Sequence, residues 1–180
     1  NHDGFTGAGI VEGFTADGLD YANGEDGNAI RFKDHSRSLI LIQTTPDANG
    51  YFVVLDQVKA DPGDNLNNHL HPASQNNIIT TENLREYMAP IDHYPSAAAG
   101  KVTFYYISAP DAVKIEKSPS AVQDRYPGYP DHNRLTSIYS VDSEGEKSIA
   151  TLIFPHNHLV FKPNFEKFSS NQFEGIKFSQ

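Results

Sequence analysis

The most regular pattern of ionisable residues lies between positions 31 and 37, where basic side chains occupy every odd position. These residues are Arg31, Lys33, His35 and Arg37. Alternate residues of a β-strand face the same side, so a strand here would carry one cationic row. Such a row could bind carboxylate or sulfate groups through charge-assisted hydrogen bonds. The competing and commoner interpretation is a solvated strand face whose charges pair with acids on a neighbouring strand.

Two His-x-His pairs are weak candidates for metal ligands. They are His69 with His71, and His156 with His158. On a strand, each pair would point to one face and could supply two ligands to zinc. No carboxylate lies at a diagnostic spacing, and neighbouring prolines indicate strand ends. Hydrogen-bonded structural histidines are the simpler interpretation, so no metal or other cofactor is predicted for this chain.

A third candidate is a long proline-containing segment, residues 118–134, which is predicted to be a loop. It contains Arg125, Tyr126, Tyr129 and Arg134. Aromatic rings stack on sugar rings, and neighbouring cations suit acidic sugars. The alternative is that these tyrosines pack the loop onto the rest of the domain, because a long loop needs contacts of its own.

Composition excludes several classes of function. The chain has 180 residues and no cysteine, so disulfides and thiolate chemistry are ruled out. Its net charge is -9, from 14 basic and 23 acidic residues, which argues against general nucleic-acid binding. No apolar run is long enough to span a membrane. Phosphate loops, serine-hydrolase elbows and zinc-protease motifs are all missing from the sequence.

Hydrophobic periodicity predicts an all-β, antiparallel β-sandwich with at most one or two short helices. The predicted strands are residues 38–45, 51–58, 102–107, 148–154 and 158–161, with a turn at 155–157, and a last pair at 165–168 and 173–178. Residues 81–87 could form two helical turns. Residues 1–180 are predicted to be a single domain with a possible sub-boundary in a loop at 88–100. Because the chain starts at Asn1, we expect it to be a C-terminal fragment of a longer protein.

Four stretches, in order along the chain, resemble the heparinase II/III-type polysaccharide lyases. The first is residues 9–24, which include Asp17-Gly18-Leu19-Asp20-Tyr21. The others are the predicted strand pair of residues 37–42 and 50–58, the segment His69-Leu70-His71-Pro72, and Ala150-Thr151-Leu152-Ile153-Phe154-Pro155. The resemblance is to the part of these enzymes that follows their catalytic region.

The resemblance implies a many-stranded β region from a bacterial, periplasmic or secreted enzyme that cleaves uronate-containing acidic polysaccharides by β-elimination. In that family the catalytic Tyr, and the Asn or His that neutralises the uronate, come from an N-terminal α/α toroid. A further His and the zinc ligands come from the start of the β region, in a His-x-His-x-Asp type motif and a later His-Asn. The surroundings of His2 do not match that motif. We therefore expect this chain to lack catalytic residues and zinc ligands of its own, and to have the toroid and an acidic polysaccharide as partners.

Four functional hypotheses follow, of which the most remote is an independent metalloenzyme that uses the two His-x-His pairs. The first is that the sandwich supports the toroid and lines the substrate cleft, with the cationic row and the segment of residues 125–134 facing substrate. The second is a free-standing carbohydrate-binding module that uses its tyrosines as a platform. The third is an assembly domain, which would expose a large apolar patch.

Overall fold

The computed structural model describes residues 9–27, 34–46, 49–72, 77–81, 86–90, 100–118, 131–157, 164–169 and 174–179. The described residues form β-strands joined by turns, with no helix among them. The strands are β1 Gly9–Ala16, β2 Leu19–Glu25, β3 Asp34–Ile42, β4 Tyr51–Lys59, β5 Asn65–Leu70, β6 Ile79–Thr80, β7 Glu86–Pro90, β8 Gly100–Tyr106, β9 Ala112–Ser118, β10 His132–Ser140, β11 Glu146–Asn157, β12 Asn164–Ser169 and β13 Glu174–Ser179.

The strands build three antiparallel sheets. The large sheet has eight strands in the order β1-β2-β3-β4-β11-β8-β7-β6. The small sheet has the order β5-β10-β9, and β12 pairs with β13. Strands β1 to β4 form a meander, whereas β11 lies between β4 and β8. The central strand of the large sheet therefore comes from a late part of the chain.

The core lies between the large and small sheets, as expected of a sandwich. One buried cluster joins β4 and β11 to β5 and β10 through Val58, Ile149, Leu66 and Tyr139. A second joins β7 and β8 to β10 through Tyr87, Phe104, Tyr106 and Leu135. A third cluster, Tyr105, Leu152 and Phe154, lies on the opposite face of β8 and β11 from the first two clusters. The centre of the large sheet is thus buried on both faces.

The end of the large sheet that contains β1, β2 and β3 extends beyond the small sheet. The two inter-sheet clusters take their large-sheet residues from β4, β11, β8 and β7, and none from β1 to β3. Apolar side chains on this extension are open to solvent: Ile10 is 78% exposed, Phe14 53% and Leu39 42%. We call β1–β3 the wing. A step forms where the wing meets the edge strand β5 of the small sheet.

The predicted fold class is confirmed, and so are several strands. The strands β3, β4 and β8 overlap predicted strands, and β12 pairs with β13 as expected. The helix predicted for residues 81–87 is wrong at its end, because Glu86 and Tyr87 belong to β7. Met88–Pro90 also lie in β7 rather than in a loop, and β7 pairs with β8 across the predicted sub-boundary. Residues 82–85, 91–99 and 158–161 lie outside the described part of the chain.

The turn predicted at residues 155–157 is also wrong, because β11 continues through Pro155 to Asn157. Its pairing with β4 ends at Ile153, whereas its pairing with β8 continues to Asn157. Pro155 therefore lies where β11 has only one neighbouring strand. A proline, which has no amide hydrogen, is tolerated at such an edge position.

None of the described residues forms a helix with the length and hydropathy of a membrane span.

Candidate functional site

The candidate site is centred on Asp56, a buried carboxylate in β4. Antiparallel pairing places Arg37 opposite Asp56 and His35 opposite Val58. Val58 and Asp56 are two residues apart and therefore face the same side of the sheet, which for Val58 is the inter-sheet core. Only 3% of Asp56 is exposed. A carboxylate at such a position needs partners for both of its oxygens.

Four side-chain hydrogen bonds satisfy this carboxylate. Arg37 donates from Nε to Oδ1 at 2.6 Å and from Nη2 to Oδ2 at 3.1 Å. His35 Nε2 lies 3.0 Å from Oδ1, and Asn68 Nδ2 in β5 donates to Oδ2 over 3.4 Å. The network thus ties β3 to β4 within one sheet and also bridges the two sheets.

These partners keep Asp56 ionised. Burial alone would raise the pKa of Asp56, but the hydrogen bonds from His35 and Arg37, together with their charges, lower it below its ordinary value. The carboxylate is therefore a permanent counter-charge that fixes the two basic side chains. It is poorly suited to accept a proton from a substrate, because its oxygens are already engaged.

His35 is held between two carboxylates. Its Nε2 contacts Asp56, and its Nδ1 lies 3.7 Å from Oδ2 of Asp26, just beyond β2. The backbone amide of Asp26 also donates to the carbonyl of His35 at 3.3 Å. These contacts hold the imidazole ring between β4 and the residue that follows β2. Both described members of the predicted cationic row, His35 and Arg37, are therefore paired with acids.

A cleft of about 240 Å³ opens beside this network, at the step between the sheets. Its floor includes His35, Arg37 and Asp56 from the large sheet. Its wall includes Asn67 and His69 from β5. Guanidinium, imidazole and amide groups together can bind the hydroxyl and carboxylate groups of a sugar. Half of the Arg37 side chain, 51%, remains exposed beside the cleft.

Two of the three described histidines of the His-x-His pairs, His69 and His156, bond to threonines on neighbouring strands. His69 Nδ1 lies 3.0 Å from Oγ1 of Thr136, and His156 Nε2 lies 2.9 Å from Oγ1 of Thr103. The rings of His69 and His71 are 6.4 Å apart. Within the described ranges, no group of three or more histidines and carboxylates is arranged to hold a metal ion. His158 lies outside these ranges.

Arg134, expected at the end of a loop, is instead part of β10. Its Nη2 donates to Oε2 of Glu116 on β9 at 2.7 Å, at the protein surface. The predicted substrate-binding residues Arg31, Lys33, Arg125, Tyr126 and Tyr129 lie outside the described residues. The structure therefore brings His35 and Arg37 into one cleft with His69, and places Arg134 on the small sheet.

Sequence reasoning missed Asp56 and Asn68. A usable signal for Asp56 was present, because it is an acid within the apolar run of residues 51–58. Asp56 and Val58 are two residues apart on a predicted strand and therefore face the same side. A charge would then lie in the core and would need a partner. Asn68 had no such signal, because its role depends on how the two sheets meet.

Comparisons with known proteins concern the fold. No family model matches the sequence, and no curated protein matches it. Among solved structures, the heparan sulfate lyase HepC from Pedobacter heparinus matches 96% of this chain with a TM-score of 0.69 at 14% identity. A heparinase III gene product matches 95% with a TM-score of 0.70 at 15% identity, and another heparinase III matches 95% with a TM-score of 0.62 at 10% identity.

The matched region is a minor part of each of these proteins. This chain spans 28% of the HepC chain, 26% of the heparinase III gene product and 27% of the other heparinase III. The resemblance predicted from the sequence is confirmed at the level of the fold: the chain has the β-sandwich fold of one region of these lyases.

Proposed function

We propose that this chain is the non-catalytic β-sandwich portion of a heparinase II/III-like polysaccharide lyase that acts on uronate-containing acidic polysaccharides. In this role it supports the catalytic α/α toroid and lines the substrate cleft. The main support is the match of almost the whole chain to about a quarter of structures that are named as heparan sulfate lyases or heparinases. A location outside the cytoplasm, periplasmic or secreted, is part of the proposal.

The wing supports the docking role. Its exposed side chains Ile10, Phe14 and Leu39 line a shallow apolar groove of about 510 Å³. An exposed apolar patch of this kind is typical of a surface that packs against another domain. We assign the groove to the remainder of the same polypeptide, since the matched structures are three to four times longer than the region they share with this chain.

The cleft beside Asp56 supports the substrate-binding role. β-Elimination needs a group that neutralises the uronate carboxylate, a base for the C5 proton and an acid for the leaving oxygen. Arg37 would bind an acidic group of the polymer, and Asn67 would contact its hydroxyls. Asp56 would position Arg37 without taking a proton. The base and the acid would then come from the toroid.

The test starts with the native protein that carries this chain. An immunoblot of the source cells should give a band several times heavier than 19.9 kDa. The purified protein should depolymerise heparan sulfate or another uronate polymer and release unsaturated products that absorb in the ultraviolet. A band near the mass of this chain, with glycan affinity but no cleavage, would overturn the proposal and favour the carbohydrate-binding module.

Arg37→Gln in the same protein tests the cleft. We expect KM for the polymer to rise about tenfold while kcat changes little, because one charge-assisted contact to bound substrate is lost. Lys59→Gln is the matched control. Lys59 is an exposed cation of β4 whose Nζ lies 3.4 Å from a carboxylate oxygen of Glu146, and it does not line the cleft. Thermal unfolding of both variants shows that they are folded. An unchanged KM in folded Arg37→Gln would exclude a role for this cleft in substrate binding.

A further inference from the structure

The outer face of the small sheet carries two permanent cations, Lys114 and Arg134, and one carboxylate at its described strand positions. The inner positions of its strands are occupied by core residues such as Leu66 of β5 and Leu135 of β10. Alternate residues therefore point away from the core. On this outer face His69, Thr136 and Lys114 form one cross-strand row, because Thr136 pairs with both of the others. Arg134 and Glu116 form the next row.

The charges of this face contrast with those of the whole chain, whose net charge is -9. The outer positions of β5, β9 and β10, all within the described residues, contain a single carboxylate, Glu116. That carboxylate is neutralised by Arg134 at 2.7 Å. Lys114 is exposed, and its row contains no acid. His71 follows directly after β5 and lies beside His69. We call Lys114, Arg134, His69 and His71 the outer cationic face.

We propose that the outer cationic face is a second binding site for the acidic polysaccharide, separate from Arg37 and Asp56, and that acidic pH strengthens its binding. The choice of polysaccharide rests on the proposed function. Charge complementarity supports it, because a polymer with repeated carboxylate or sulfate groups can contact cations on successive strands. The three strands span about 10 Å, which suits a short segment of an extended chain rather than a small molecule.

The expected increase in affinity at lower pH follows from the groups around His69. On the small sheet these are Arg134, Glu116, Lys114 and His71, together with the hydrogen-bonded Thr136. Across the cleft they are His35, Arg37 and Asp56. Burial, followed by the charges of Arg134 and His71, lowers the pKa of His69 below its ordinary value of 6.5. His69 is therefore neutral near pH 7 and gains a positive charge on acidification, whereas the pKa of Glu116 is lowered by Arg134 and this carboxylate stays ionised.

The test measures binding of a size-defined heparan sulfate oligosaccharide to the full-length native protein, by calorimetry at pH 5.5 and pH 7.5. We expect Lys114→Gln to raise Kd about threefold to tenfold, the loss of one ionic contact. Lys117→Gln is the control, because it makes the same charge change on the same strand at an alternate position. We expect His69→Gln to weaken the increase in affinity at pH 5.5 and to leave the affinity at pH 7.5 within twofold.

The outcomes separate this inference from the proposed function. If the protein cleaves and binds the oligosaccharide but Lys114→Gln and Lys117→Gln have equal Kd values, the second site is wrong and the lyase proposal stands. If no variant, nor the unmodified protein, binds or cleaves any uronate polymer, the proposed function itself fails. Preferential binding of a nucleic acid of equal charge over the oligosaccharide would also overturn the second site as stated.

Discussion

Arg37 and Asp56 face each other across β3 and β4 and are joined by two hydrogen bonds, 2.6 Å and 3.1 Å long. The arginine is half exposed, whereas the aspartate is almost completely buried. One partner therefore anchors the pair in the core, and the other presents it to the cleft. This difference means that the two residues have different effects when they are replaced.

Replacement of the buried partner should mainly change stability. We expect Asp56→Asn to lower the free energy of unfolding by about 2 kcal/mol at pH 7, because charge-assisted hydrogen bonds from Arg37 and His35 are lost. Glu146→Gln is the control, since its ion pair with Lys59 is exposed and should contribute less than about 0.5 kcal/mol. Urea unfolding measures both values. Equal stabilities of the two variants would mean that the Asp56 network adds nothing to the fold.

The same carboxylate predicts a specific loss of stability in acid. The pKa of Asp56 is lowered in the folded protein, so its contribution is complete above its unfolded value of about 3.8. This contribution is lost as the pH falls through the lower, folded-state pKa. The difference in unfolding free energy between wild type and Asp56→Asn should therefore be constant from pH 5 to pH 7 and shrink below pH 4. A difference that persists unchanged at the lowest pH would contradict this account.

The turn between β10 and β11 should be sensitive to an added methyl group. Gly145 has φ of +76°, and a Cβ there would lie 2.9 Å from the carbonyl oxygen of Ala60. Gly18 has a similar φ of +78° but open space around it. We expect Gly145→Ala to cost about 2–3 kcal/mol and Gly18→Ala about 1 kcal/mol, because only the first adds a clash to the backbone strain. Thermal and chemical unfolding of both variants compare the two costs directly.

The buried tyrosines predict a loss of stability in alkali. Tyr106 is fully buried and packs edge-on against Tyr87, with ring centroids 5.5 Å apart. Burial raises the pKa of Tyr106 to about 12. Its neutral form thus stabilises the fold up to the ordinary pKa of 10.0, and this contribution declines as the pH rises from there towards 12.

The unfolding free energy should accordingly fall by up to about 1.4 kcal/mol per pH unit above pH 10 for this tyrosine. Tyr106→Phe should make that decline shallower, because phenylalanine cannot ionise. Tyr139, whose pKa burial also raises, continues to contribute in the variant. Urea unfolding at a series of pH values from 9 to 12 gives the slopes. Identical slopes for wild type and Tyr106→Phe would exclude Tyr106 as a source of the decline.

Strand alternation allowed part of this structure to be predicted. It placed His35 and Arg37 on one face of a strand, and it identified β3, β4 and β8 as well as the all-β class. It could not supply the partners, because the register of β3 against β4 and the contact of Asn68 depend on tertiary packing. The helix predicted at residues 81–87 is wrong at Glu86 and Tyr87 for the same reason: β7 is stabilised as a strand by its pairing with β8.

The position of β11 has a consequence for how the chain folds during synthesis. β11 pairs with β4 on one side and β8 on the other, so residues 146–157 join two halves of the large sheet. Until those residues leave the ribosome, β4 and β8 each present an unpaired edge, and such edges recruit other strands. A ribosome that stalls before the codon for Glu146 would therefore release a nascent chain with two unpaired strand edges, and chaperone binding should be concentrated in that interval of translation.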